Sequence, residues 1–150
     1  MLLLYRIRNF IFTEVVSLNG KNLGFVGDII IDFNRKLVKG FNVISNSILK
    51  KDINVYIKDI LSLKPTIIVT KFNREHELKF NDIRSVDVVD KCGKIIGHLE
   101  DIVFYENSFN IRAFILSRGL IYDIRFGRRI LPAKSLMLGE KNILYKEICK

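Results

Sequence analysis

Val15-Val16-Ser17-Leu18-Asn19-Gly20-Lys21-Asn22-Leu23-Gly24-Phe25-Val26-Gly27-Asp28 returns 73 residues later as Val88-Val89-Asp90-Lys91-Cys92-Gly93-Lys94-Ile95-Ile96-Gly97-His98-Leu99-Glu100-Asp101. Six of the sixteen positions aligned between Thr13–Asp28 and Val86–Asp101 are identical, where composition alone predicts about one. The shared residues are Val15/Val88, Val16/Val89, Gly20/Gly93, Lys21/Lys94, Gly24/Gly97 and Asp28/Asp101. Two copies imply two units. The retained set is too small and too poor in reactive groups to build a reaction centre, so the repeat speaks of architecture. It predicts a first domain over residues 1–70, a polar, charged linker over 71–81 and a second domain over 82–150.

Units of roughly 70 residues lie near the lower size at which a domain holds itself together, so each needs a dense core. The composition supplies one: 49% of the 150 residues are apolar, and Ile, Leu, Val and Phe, which favour strands, dominate that fraction. Net charge is +9, so the surface suits an acidic partner. The first half is the more basic, with 12 basic and 6 acidic residues against 13 and 10 in the second. Two cysteines, Cys92 and Cys149, far apart and without a secretion signal, point to reduced thiols in the cytoplasm. The opening Met1-Leu2-Leu3-Leu4-Tyr5-Arg6 is too short for a signal-peptide core and is expected as a leading strand. No apolar run approaches the roughly 20 residues of a bilayer span, which leaves peripheral attachment.

Each unit reads as a series of short strands. In the first, Thr13–Leu18 and a long Asn22–Phe33 flank Asn19-Gly20, the dipeptide that tolerates the positive φ of a tight hairpin. Ile29, Ile31 and Phe33 alternate with Asp28, Ile30 and Asp32, the period of a strand with one buried side. Leu37–Ile44, then Ile53, Val55 and Ile57, then Ile67-Ile68-Val69 follow. The second unit repeats the plan over 86–89, 95–105, 111–117, 120–126, 130–131 and 142–145. A three-residue insertion in its middle moves the offset to 76, and Ile60-Leu61 and Leu136-Met137 are expected on a short helical turn before the last strand. Strands at this spacing predict an all-β chain of two small barrels, each with five or six short antiparallel strands.

A hairpin of the form V-x-x-x-x-G-K-x-x-G-x-x-x-D-[IVL], carried by Val16–Ile29 and Val89–Ile102, resembles the PRC-barrel domain. The chain looks like two such barrels in tandem over about residues 10–70 and 82–146. Leu131-Pro132-Ala133, Leu136, Gly139 and Ile143 resemble the family's closing segment; Tyr56 and Leu63 depart from it in the first unit. Family members are similar to the barrel of the photosynthetic reaction-centre H subunit, to the C-terminal half of a ribosome maturation factor and to small stand-alone bacterial proteins. The resemblance implies a module that docks onto a partner, with no catalytic residues to carry over.

Gly20-x-x-x-Gly24-x-x-Gly27 could cradle a phosphate, but it opens a strand, lacks the Gly-Lys-Ser/Thr ending, and Gly27 becomes Glu100 in the second copy. The expected roles are structural: Gly20 and Gly93 turn the hairpins, while Gly24 and Gly97 relieve crowding where the strand bends. Asp28 and Asp101 have no second carboxylate, His or Cys at matching spacing, so they are expected to accept backbone amides. Cys92 and His98 would give only two of the four ligands a zinc site wants. No metal and no cofactor is expected.

The segment Arg118–Arg129 carries Arg118, Arg125, Arg128 and Arg129 among Tyr122 and Phe126. Arginine forks match phosphates and aromatics can stack bases, which makes these arginines the candidate anion- or RNA-binding residues. The competing reading is a hairpin with a charged outer face and Leu120, Tyr122, Ile124 and Phe126 turned inward at period two. Arg35, Lys36, Lys39, Lys50 and Lys51 are expected on turns, as a basic rim suited to anionic lipid or RNA. The function expected is a non-catalytic adaptor that docks onto a larger protein complex, with the cytoplasmic membrane face as one setting. The alternative is a ribosome- or RNA-associated assembly factor using the basic surface. An enzyme is not expected.

Overall fold

The computed structural model describes residues 3–146. In chain order the elements are β1 (Leu4–Arg6), β2 (Glu14–Ser17), β3 (Asn22–Asp32), β4 (Leu37–Ile44), β5 (Ile53–Tyr56), β6 (Ile60–Ser62), β7 (Ile67–Val69) and α1 (Phe80–Arg84). They continue with β8 (Asp87–Val89), β9 (Ile95–Tyr105), β10 (Ile111–Ser117), α2 (Leu120–Phe126), β11 (Arg129–Pro132), β12 (Leu136–Leu138) and β13 (Ile143–Tyr145). The fold is mostly β. One sheet has the order β5-β4-β3-β2-β7-β6, the other β11-β10-β9-β8-β13-β12 with β1 added on β9. Each strand of the first sheet thus has its counterpart at the same place in the second.

The repeat extends to single hydrogen bonds. Ser17 N–H bonds the Lys21 carbonyl at 2.9 Å and Gly20 N–H the Ser17 carbonyl at 2.9 Å; Asp90, Lys94 and Gly93 repeat the pair at 2.9 and 3.0 Å. Pairing departs from the all-antiparallel expectation once in each sheet. Val15 and Val16 lie parallel to Ile67 and Ile68, and Val88 and Val89 parallel to Ile143 and Leu144. The helical turns lie at Ile57–Asp59 and Ala133–Ser135, so Ile60-Leu61 and Leu136-Met137 stand on the strands that follow, not on the turns as expected.

The chain divides into two compact units. One comprises Ile7–Ile31 and Val38–Phe80, the other Met1–Arg6, Asp32–Leu37 and Asn81–Lys150. In the first unit, Phe10 and Phe41 pack with ring centroids 4.8 Å apart beside Val15, Val26 and Ile67. The one-sided alternation expected of β3 is not found: Asp28, Ile29, Ile30 and Ile31 are all buried. The segment expected as a linker pairs along the edge of β3: Ile31 N–H bonds the Leu78 carbonyl at 2.9 Å and Ile30 bridges Lys79. Asn54 and Asn73 exchange backbone hydrogen bonds at 2.7 and 3.0 Å, and Asn54 Nδ2 donates to the Glu75 carbonyl at 2.7 Å.

Glu77 fastens this segment. Its carboxylate accepts from Tyr56 Oη at 2.6 Å and pairs with Lys39 Nζ at 3.0 Å. Burial opposes its ionisation, but the Tyr56 hydrogen bond and the Lys39 ammonium outweigh that and hold its pKa below the usual 4.5. A depressed carboxyl pKa adds stability above the unfolded value that is lost as pH falls through the folded one. Glu77→Gln should therefore cost about 1 kcal/mol at neutral pH, allowing for the part-exposed lysine. Urea midpoints of parent and variant should converge below about pH 4.5. A gap unchanged down to acid pH would mean that the charge on Glu77 does not matter.

In the second unit, Phe104, Phe114, Leu99, Ile102, Leu116 and Leu136 form the core. The turn residue Phe33 belongs to it, stacked on Phe114 with centroids 5.2 Å apart, and Ile111 N–H bonds the Lys36 carbonyl at 2.8 Å. The leading strand pairs Tyr5 with Phe104. Segment Leu120–Phe126, expected as a strand, is a helix. Glycines at both ends, Gly119 with φ +109° and Gly127 with φ +78°, turn the chain into and out of it.

Candidate binding surface

The repeated residues build scaffold. Asp28 Oδ1 accepts the amide of Ile29, and Asp101 Oδ1 that of Ile102, both at 2.8 Å. Asp101 also takes Arg6 in a two-pronged contact, Nε at 2.8 Å and Nη2 at 2.6 Å. Lys21 and Lys94 close the hairpins through their backbones. Gly20 and Gly93 have positive φ with open space around them, whereas a Cβ at Gly24 would overlap the Ile44 carbonyl oxygen and one at Gly97 would lie 2.6 Å from that of Ser117.

His98 bonds Asp87 at 2.9 Å across the β8–β9 pair, where the two residues face each other in register. Cys92, exposed on the hairpin turn, is disulfide-bonded, which corrects the expectation of reduced thiols; Cys149 lies outside the described residues. No cluster of three or more His, Cys, Asp or Glu suited to a metal occurs among the described residues.

Arg118, Arg125, Arg128 and Arg129 are all exposed. Arg118 is held: its Nε donates to the Ile96 carbonyl at 3.0 Å and its Nη1 to Tyr122 Oη at 2.9 Å. Arg128 lies 3.7 Å from both Glu100 and Asp123. Arg125 lies over the Phe126 ring and Arg129 over the Tyr145 ring. The Asp123 carboxyl sits below its usual pKa, held first by the Ser117 hydroxyl and then by the Arg118 amide and Arg128 guanidinium, against desolvation.

The inward-facing reading of the apolar residues here is overturned. Leu120, Ile121 and Ile124 are 77–84% exposed and Phe126 65%. Helical spacing puts Tyr122 and Phe126 one turn apart, rings 4.8 Å from each other, and leaves Leu120, Ile121 and Ile124 as an uncovered stripe. In the first unit the corresponding connection, from β4 to β5, exposes Ile48 and Leu49 completely or nearly so. Beside them lies a cleft of about 350 Å³ whose cations are Lys21, Lys50, Lys51 and Arg74. No acidic side chain lines it. Of the other basic residues expected on turns, Lys39 stands instead on β4 against Glu77, and Lys36 folds its ammonium back over Phe33.

The outer strands β6 and β12 also expose apolar side chains at corresponding positions, Leu61 at 62% and Met137 at 46%. Among the described residues no helix is long and apolar enough to cross a membrane. A PRC-barrel domain is found at residues 75–148, a stretch that begins within the segment paired with β3 and includes β8 to β13. No curated protein matches the chain.

Proposed function

We propose, taking the PRC-barrel domain at residues 75–148 as the premise, that the chain is a tandem pair of PRC-type barrels. It acts as a non-catalytic adaptor docking onto a larger protein complex at the cytoplasmic face of a membrane. The identical strand order of the two sheets and their duplicated hairpin hydrogen bonds support a second barrel in the first unit. The observation that carries the adaptor reading is the pair of outer strands. Edge strands of folded proteins usually carry charge, because an open apolar edge invites pairing. Here both outer strands expose an apolar side chain, Leu61 or Met137, at the same step of the repeat. That arrangement suits strand-to-strand docking of a partner.

A nuclease-treated pull-down with the intact chain should recover a set of proteins that a Leu61→Asp/Met137→Asp variant loses. Retention by that variant would remove the edge strands from the proposal. The second reading, an RNA- or ribosome-associated factor, is favoured by the four exposed arginines. It predicts nuclease-sensitive recovery that disappears on changing Arg118, Arg125, Arg128 and Arg129 to Ala and falls steeply with salt.

A further inference from the structure

We infer that the two loops following the third strand of each repeat, residues 45–52 between β4 and β5 and residues 118–128 between β10 and β11, attach the protein to an anionic phospholipid surface. This deepens the adaptor reading at its membrane face and rests on it there alone.

Ile48 and Leu49, at 102% and 94% exposure, and Leu120 and Ile121, at 77% and 84%, are with Ile124, at 77%, the most water-exposed of the large aliphatic side chains among the described residues. Each pair lies beside cations: Lys50 and Lys51 directly follow the first, and Arg118 and Arg125 bracket the second. The only acids in the two loops are Asp52 and Asp123, and Asp123 is already taken by Ser117 and the Arg118 amide. Uncovered aliphatic tips with a basic collar are the chemistry of interfacial anchors, in which the tips enter the acyl boundary and the cations stay among the phosphates. In the first unit the acid-free cleft lined by Lys21, Lys50, Lys51 and Arg74, about 350 Å³ in volume, adjoins the tip and offers room for a headgroup phosphate.

The comparison of the two loops decides the occupant. They hold the same place in the strand order but differ in length, sequence and conformation, one irregular and the other a glycine-bounded helix. A protein groove reads shape and register, which the loops do not share. A lipid interface reads apolar surface and positive charge, which they do. Ile48, Leu49, Leu120 and Ile121 can neither stack on bases nor hydrogen-bond them, so RNA would leave unused what the loops most expose.

The test is sedimentation of the full chain with vesicles of phosphatidylcholine alone and of phosphatidylcholine mixed with phosphatidylglycerol. Binding to the mixed vesicles only is expected, and it should resist inorganic phosphate but weaken with salt. Ile48→Asn/Leu49→Asn and Leu120→Asn/Ile121→Asn should each lower it about tenfold or more, with little change in melting temperature because these side chains are largely exposed. The chain has no tryptophan, so Leu49→Trp gives a clean signal, and a blue shift on mixed vesicles is the expected result. Binding unaffected by the asparagine variants, competed away by phosphate, or without a blue shift would overturn insertion. So would apolar variants that merely break a dimer. Failure to bind vesicles while the pull-down still yields its proteins sinks this inference and leaves the adaptor standing; vesicle binding with no protein recovered does the reverse.

Discussion

Replacing Gly24 by Ala is expected to destabilise the protein by about 2–4 kcal/mol, with Gly97→Ala close behind. Two separate costs combine. The backbone at Gly24 has φ +133° and at Gly97 φ +147°, a region that L side chains rarely adopt. A new Cβ would also meet a backbone carbonyl, of Ile44 or of Ser117, which cannot swing away as a side chain tip would. Gly20→Ala separates the two costs: its φ is +83°, but nothing lies within 4 Å of the added carbon, so only the conformational cost of about 1 kcal/mol remains. Chemical denaturation of the three variants checks the order. Equal losses at Gly20 and Gly24 would mean that β3 and β4 do not approach as closely as described.

These glycines show what a sequence of this kind makes legible. A hairpin is local, so Asn19-Gly20 and its echo at Cys92-Gly93 announce both turns, and the repeat doubles the signal. The long-range partners leave no such trace. Asp101 finds Arg6 at a separation of 95 residues, and Ile31 hydrogen-bonds Leu78 from a stretch whose charge reads as linker. Side-chain pattern fails at Leu120–Phe126 for a different reason. Positions 120, 122, 124 and 126 satisfy a strand's alternation, while 120, 121 and 124 satisfy a helical stripe, and seven residues are too few to separate the periods. What decides is the pair of flanking glycines and the three-residue insertion, which free the segment from the register of its counterpart in the first unit. The four arginines are visible as a cluster; the exposure of Leu120 and Ile124 beside them is not, because alternation assigns both to the core.

Phe33→Ala and Phe114→Ala should each cost about 3–5 kcal/mol, and the double variant should cost less than their sum by about 0.5–1.5 kcal/mol. Phe33 lies in the β3–β4 turn, which a division of the sequence at residue 70 places wholly in the first repeat. Structurally it is a core residue of the second unit, 3% exposed and stacked at 21° on Phe114, itself fully buried on β10. The backbone around it is fixed in the same unit: Ile111 N–H donates to the Lys36 carbonyl, and Leu37 bridges Asn110. A turn tip of a free-standing barrel would lose little on truncation, since surface changes stay within about 0.5 kcal/mol. Amide exchange gives the sharper readout, because Phe33→Ala should lower protection along β10, more than 75 residues away in sequence, as Phe114→Ala does. Additive losses with β10 protection unchanged by Phe33→Ala would show that the stack contributes nothing and that each repeat is stabilised by its own residues alone.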